Sequence, residues 1–67
     1  MEILINNQKK DIPDRATIER LLAFLRMNNP KGLAVAVNKK VVSRGSWAFT
    51  LLKEGDDVLL IQASQGG

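Results

Sequence analysis

The sequence predicts an α+β domain of two layers, with one helix packed on one face of a mixed sheet of four to five strands. Three observations predict it. A single apolar stripe at helical spacing (Ile18, Leu21, Leu22 and Leu25) lies between two groups of strand-forming segments. The first and last of those segments, Ile3-Leu4-Ile5 and Val58-Leu59-Leu60-Ile61, are the most apolar in the chain. The length, 67 residues, allows one domain, and the chain is expected to be complete as written from Met1 to Gly67. A domain this small buries only ~60% of the surface its unfolded chain exposes, so its core must be economical.

Each element has its own local reason. Glu2-Ile3-Leu4-Ile5-Asn6 is rich in strand formers, and Asn6-Asn7-Gln8 supplies turn chemistry. Residues 9–12 return as a polar second strand, with Lys9-Lys10 suited to an edge, and Pro13-Asp14 ends it. Thr17 is the expected N-cap of the helix, and Glu19 favours the positive end of its dipole. The helix is expected over residues 18–27, about three turns at 3.6 residues per turn, until Asn28-Asn29-Pro30-Lys31-Gly32 breaks it. Leu33-Ala34-Val35-Ala36-Val37 reads as a third strand, Asn38-Lys39-Lys40 as a turn, and Val41-Val42 as a short fourth strand. Ser43 to Trp47 is irregular or a short helical turn, and Phe49, Leu51 and Leu52 form a short apolar return. Glu54-Gly55-Asp56-Asp57 is a strong turn. Residues 58–63 are a continuous apolar run, the pattern of a strand flanked on both sides. The first and last strands therefore lie side by side in the middle, parallel, with a right-handed crossover through the helix. Residues 1–63 form the domain and residues 64–67 a flexible tail.

Alternation along the strands assigns faces. Ile3 and Ile5, then Leu33, Val35 and Val37, then Val58 and Leu60 point toward the helix. One helix covers one face only. Leu4, Ala36, Leu59 and Ile61 are expected to form an apolar patch on the other, an arrangement that marks a partner-binding surface. Self-association, or cover by the loop near Trp47, is the competing reading of that patch.

Composition excludes most catalytic chemistry. With no Cys there is neither a disulfide nor a thiolate metal site, and with no His the usual neutral-pH base and metal ligand are missing. No Ser or Thr therefore has a histidine base to activate it. Asp56-Asp57 is the only adjacent carboxylate pair, and beside Gly55 it reads as turn chemistry. The glycines at 32, 45, 55, 66 and 67 match no phosphate-loop spacing. Ten Lys+Arg against seven Asp+Glu give +3, but the basic residues are dispersed and only one Trp and two Phe are present. That is a solvated surface rather than a nucleic-acid platform. No run reaches the ~20 apolar residues of a membrane span, and no leader pattern opens the chain, so a cytoplasmic protein is expected. Trp47 reads as a packing anchor and Asn38 as a left-handed turn residue, while Arg44 either fixes the neighbouring loop or meets a partner.

What remains is the C-terminus. Gln65-Gly66-Gly67 ends the chain just beyond an apolar strand. Fraying is the plain reading of terminal glycines. Yet a chain without Cβ atoms is the thinnest thread a polypeptide makes, able to enter a narrow pocket and present its carboxylate there. That carboxylate, with a pKa of ~3.3–3.7, is an anion and a poor electrophile until a partner activates it.

Three stretches give the whole chain a resemblance. They are Val35-Ala36-Val37-Asn38-Lys39-Lys40-Val41-Val42-Ser43-Arg44-Gly45-Ser46-Trp47, then Leu52-Lys53-Glu54-Gly55-Asp56-Asp57-Val58-Leu59-Leu60-Ile61, and the final Gly66-Gly67. Together they resemble the ThiS family of sulfur carriers in thiamine (thiazole) biosynthesis, which has the ubiquitin-like β-grasp fold. Ser43 stands where that family commonly has Pro, and Gln65 where a small residue is common. The resemblance implies a carrier rather than an enzyme. It implies that an adenylating (ThiF-like) enzyme uses ATP and Mg to adenylate the Gly67 carboxylate. A sulfur donor protein then converts it to a thiocarboxylate, and a thiazole synthase (ThiG-like) takes the sulfur. No cofactor is bound by the chain itself, which is a monomer when free and meets neither nucleic acid nor membrane. Related carriers for molybdopterin synthesis or tRNA thiolation share the Gly-Gly end and stay open as readings, as does a small basic binding module whose Gly-Gly is incidental.

Overall fold

The structure, a computed structural model, describes residues 1–27 and 31–62. Its strands are β1 (Glu2–Ile5), β2 (Gln8–Asp11), β3 (Leu33–Val37), β4 (Lys40–Val42) and β5 (Asp57–Gln62). The helix α1 (Ile18–Phe24) lies between β2 and β3, and a 3-10 helix, Arg44–Phe49, follows β4. The five strands form one sheet in the order β2-β1-β5-β3-β4. β1 and β5 run parallel, and every other neighbouring pair is antiparallel. The most apolar strand thus occupies the centre, beside β1, as its continuous hydrophobic run requires.

Both hairpins close through two residues in the left-handed region, Asn6-Asn7 and Asn38-Lys39. That backbone matches the twist of the flanking strands, and asparagine tolerates it best after glycine. The asparagines do more than turn the chain. Asn6 Oδ1 accepts from the Leu60 N–H at 2.8 Å and its Nδ2 donates to the Leu60 carbonyl at 3.3 Å, extending the β1–β5 ladder by a side chain. Asn38 Oδ1 accepts from the Asp57 N–H at 3.0 Å, while its Nδ2 donates to Asp56 Oδ1 at 3.0 Å. β5 is clasped from both sides.

Thr17 caps α1 as expected, its Oγ1 accepting from the Arg20 N–H at 3.1 Å. The helix is shorter than the expected residues 18–27, because Leu25 is already its C-cap and Arg26 turns left-handed (φ 60°). The Met27 N–H then bonds the Leu22 carbonyl and the Arg26 N–H the Ala23 carbonyl, the paired closure of a Schellman motif. Glycine adopts that backbone freely, whereas an L side chain does not. Arg26→Gly is therefore expected to stabilise the domain by about 0.5–1 kcal/mol in urea unfolding.

Ile18, Leu21 and Leu22 share one core with Ile3, Leu33, Val35 and Val58, closed by Ile12, Ala16, Trp47 and Leu52. Leu25, expected in the buried stripe, only packs against its margin. Trp47 is buried and donates its indole N–H to the Val42 carbonyl at 2.9 Å, with the Arg44 guanidinium 5.3 Å from its ring centre. The expected apolar return is mostly outside: Phe49 and Leu51 are exposed, and only Leu52 enters the core. Leu51 pairs by a single bridge with Thr17.

The Met1 ammonium ties β1 to the end of β2. It donates to the Ile12 carbonyl at 2.6 Å and to Asp14 Oδ1 at 3.0 Å, with Asp11 Oδ1 at 3.3 Å. The Asp14 hydrogen bond, aided by Asp11, raises its pKa above the ordinary 8.0 against an opposing desolvation. A raised pKa means that the folded state binds the proton more tightly. The stability it confers is whole below the unfolded value of about 8 and is lost as pH rises through the folded value. Tm should fall as pH rises above about 8, and Asp14→Asn should flatten that fall in thermal melts at stepped pH.

Candidate functional site: the outer sheet face and the strand leading to the C-terminus

The strands present opposite faces to opposite tasks. Ile3, Leu33, Val35 and Val58 are buried toward α1, with Ile5, Val37 and Leu60 packed against them. Leu4, Ala36, Leu59 and Ile61 fall on the other face, as the alternation predicts, and none belongs to the core. Leu59 and Ile61 are 42% and 54% exposed, while Leu4 and Ala36 are half-buried.

Register arranges them in rows. Ala36 faces Leu59 across β3–β5, and Ala34 faces Ile61. On its other side Ala36 faces Val41 of β4, which is 79% exposed. A row Val41–Ala36–Leu59 therefore crosses three strands, and Ala34–Ile61 forms the next row toward the end of β5. Leu4 lies on the same face, but its direct partners are Lys9 and Asp57. It meets Leu59 only diagonally, within reach of a long side chain. The face thus grades from a charged row at the start of β5 to apolar rows at its end. Val41 was not among the expected patch residues. The signal for it was present, since Val42 packs inward and its neighbour must point outward.

Asp56 and Asp57 do not converge on a shared point. Asp56 is buried, its Oδ1 accepting from Asn38 and its Oδ2 from the Lys53 N–H at 2.8 Å. Both oxygens are occupied in holding the turn before β5. The expected tail, Gln65, Gly66 and Gly67, lies outside the described residues, as does Ala63 at the end of the expected last strand. Among the described residues no helix is long and apolar enough to cross a membrane.

The five-stranded sheet with its central β5 and single main helix has close counterparts among solved structures. The crystal structure of a thiamine biosynthesis protein (ThiS) from Geobacter metallireducens superposes with a TM-score of 0.86 at 23% identity, covering all of both chains. A solution structure of a thiamine biosynthesis protein from the same organism gives 0.82 at 25% identity, covering all of this chain and 88% of that one. Sequence similarity reaches further. The profile of the ThiS family matches residues 2–67. The chain belongs to the ThiS family. Within it, the sulfur carrier protein ThiS of Escherichia coli (strain K12) is 36% identical over 67 residues, the full length of both chains. The fold is the ubiquitin-like β-grasp of the ThiS structures.

Proposed function

We propose that this chain is a sulfur carrier of thiamine biosynthesis that acts through its C-terminal carboxylate. One observation carries the reading. A chain ending in Gly66-Gly67 is 36% identical, end to end, to a sulfur carrier protein ThiS. In this reading a partner adenylating enzyme binds Mg-ATP. The Gly67 carboxylate oxygen attacks the α-phosphorus, releasing pyrophosphate and leaving an acyl-adenylate. Hydrosulfide, released at the sulfide level by a donor protein, then attacks the carbonyl carbon; the bond from that carbon to the AMP oxygen breaks, AMP leaves, and a thiocarboxylate remains. A thiazole synthase takes that sulfur. The chain is substrate rather than catalyst throughout, and its lack of Cys suits a sulfur carried on the main chain. The setting is the cytoplasm, and residues 64–67 serve as the thread that enters the partner.

The strand that precedes these residues supports the reading. β5 is paired on both sides and clasped by Asn6 and Asn38, so it makes a rigid base for the residues that follow. The partner docks on Leu4, Ala36, Leu59 and Ile61, whose apolar rows lie at the tail end of β5. Leu59→Asp and Ile61→Asp should each weaken binding to the adenylating enzyme roughly tenfold or more, an effect of ~1.4 kcal/mol. Their folding stability should change by only about 1 kcal/mol, since both side chains are about half exposed and lie outside the core. ATP–pyrophosphate exchange by the adenylating enzyme, measured with native chain and each variant, tests both claims. Native chain that supports no exchange overturns the carrier reading. Variants that support exchange at native concentration dependence overturn the docking face.

A further inference from the structure

We propose that the cleft beside α1, on the side away from the apolar sheet face, is a second docking site. Its occupant is a partner segment carrying an apolar side chain flanked by carboxylates. The cleft holds about 330 Å³ and lies between the chain entering the helix and one helix face. Pro13, Ala16, Ala23 and Phe24 make its apolar wall, and Arg15 and Arg20 line it with charge. Phe24 is 51% exposed, although nothing in the fold requires an aromatic ring in water there.

The charge is unspent. Among the described residues neither Arg15 nor Arg20 has an acidic partner, whereas the Met1 ammonium pairs with Asp11 and Asp14. That same ammonium takes up Asp14, the one carboxylate lining the cleft, and so leaves the two guanidiniums uncompensated. Arg15 also holds a left-handed backbone (φ 62°), a conformation that disfavours any side chain. A cation is thus carried at a strained position on the cleft wall.

The shape selects the occupant. A guanidinium fork matches a carboxylate in two parallel hydrogen bonds. A small anion would use the forks and leave the apolar wall bare. The volume stands at the lower end for ligand pockets, and the cleft is open on one side, so a free metabolite would not be enclosed as such pockets enclose theirs. A protein segment needs no enclosure, because the rest of its chain holds it. Two dispersed arginines also lack the extended basic track that a nucleic-acid strand needs. Because the cleft and the sheet face lie on opposite sides of the domain, one molecule can engage two partners at once.

The test uses the full chain, labelled with 15N, and the probe peptide acetyl-Glu-Asp-Leu-Phe-Asp-Glu-amide. Amide shifts are followed at low and at physiological ionic strength, about 0.15 M. Saturable shifts centred on Arg15, Ala16, Arg20 and Phe24 are expected. Affinity should fall at least tenfold in Arg15→Glu/Arg20→Glu, and at least tenfold for a peptide with Ala in place of Leu-Phe. Should the double variant melt early, Arg15→Gln/Arg20→Gln replaces it with the same expectation. The proposal is overturned by absence of saturable shifts, by shifts centred on Leu59 and Ile61, or by equal binding of the Ala peptide. Equal affinity in the arginine variants, or stronger binding of a short RNA to the cleft, overturns it as well. None of these outcomes depends on sulfur transfer, so the carrier reading stands or falls separately.

Discussion

A chain ending at Gln65 is expected to melt with the full chain and to accept no sulfur at all. The reacting carboxylate of the account is that of Gly67, and without the two glycines the thread is too short and too bulky to place a carboxylate in the partner. Stability should be untouched for a different reason. Among the described residues the buried ones span Ile3 to Val58, and Gln62 at the end of β5 is already exposed. Circular dichroism and thermal melts of the truncated chain measure the first half, and sulfur incorporation the second. A large loss of Tm would make the last residues structural, and retained incorporation would place the chemistry elsewhere.

Leu21→Ala is expected to cost ~2–5 kcal/mol, the second large effect. Leu21 is fully buried where α1 packs on the sheet, so truncation leaves a cavity that its neighbours fill only in part. At ~0.05–0.15 kcal/mol per residue, total stability for a domain this size is roughly 3–10 kcal/mol. The variant therefore approaches the unfolding threshold. Leu25→Ala, one turn further along, should cost only roughly 1–2 kcal/mol, because Leu25 lies half-buried at the core margin. Urea midpoints of the two variants decide the matter. Equal losses would mean that the helix buries four positions rather than three.

These contrasts also show how far the sequence was legible. The central parallel pairing of β1 with β5 follows from their apolar character and the crossover through the helix, and the inward and outward faces follow from apolar alternation, which depends only on neighbours two residues apart. The end of α1 did not follow. Leu25 keeps the spacing of the stripe, but Arg26 goes left-handed although its residue type gives no sign of it. Phe49, Leu51 and Leu52 read together as a short apolar return, yet only Leu52 enters the core, beside Trp47, while Phe49 and Leu51 are exposed. The asparagine clasps were legible only by half. Asn6 and Asn38 announce turns, but their bonds to β5 and to the turn before it join positions 54 and 18 to 19 residues apart, which local pattern cannot reveal. The apolar outer face was readable apart from Val41, and the cleft at Arg15 and Arg20 was not, since its walls meet only after folding.

The central claim is that sulfur is carried on the main-chain terminus of Gly67. Intact mass spectrometry tests it most directly, after incubation with an adenylating enzyme, Mg-ATP and a sulfur source. The sulfur carrier protein ThiS of Escherichia coli serves as the control that the enzyme is active. The account predicts a mass gain equal to one sulfur replacing one oxygen, located by fragmentation at Gly67 and absent from the chain ending at Gln65. An unchanged mass while the control is converted, or a gain located at any other residue, would contradict it.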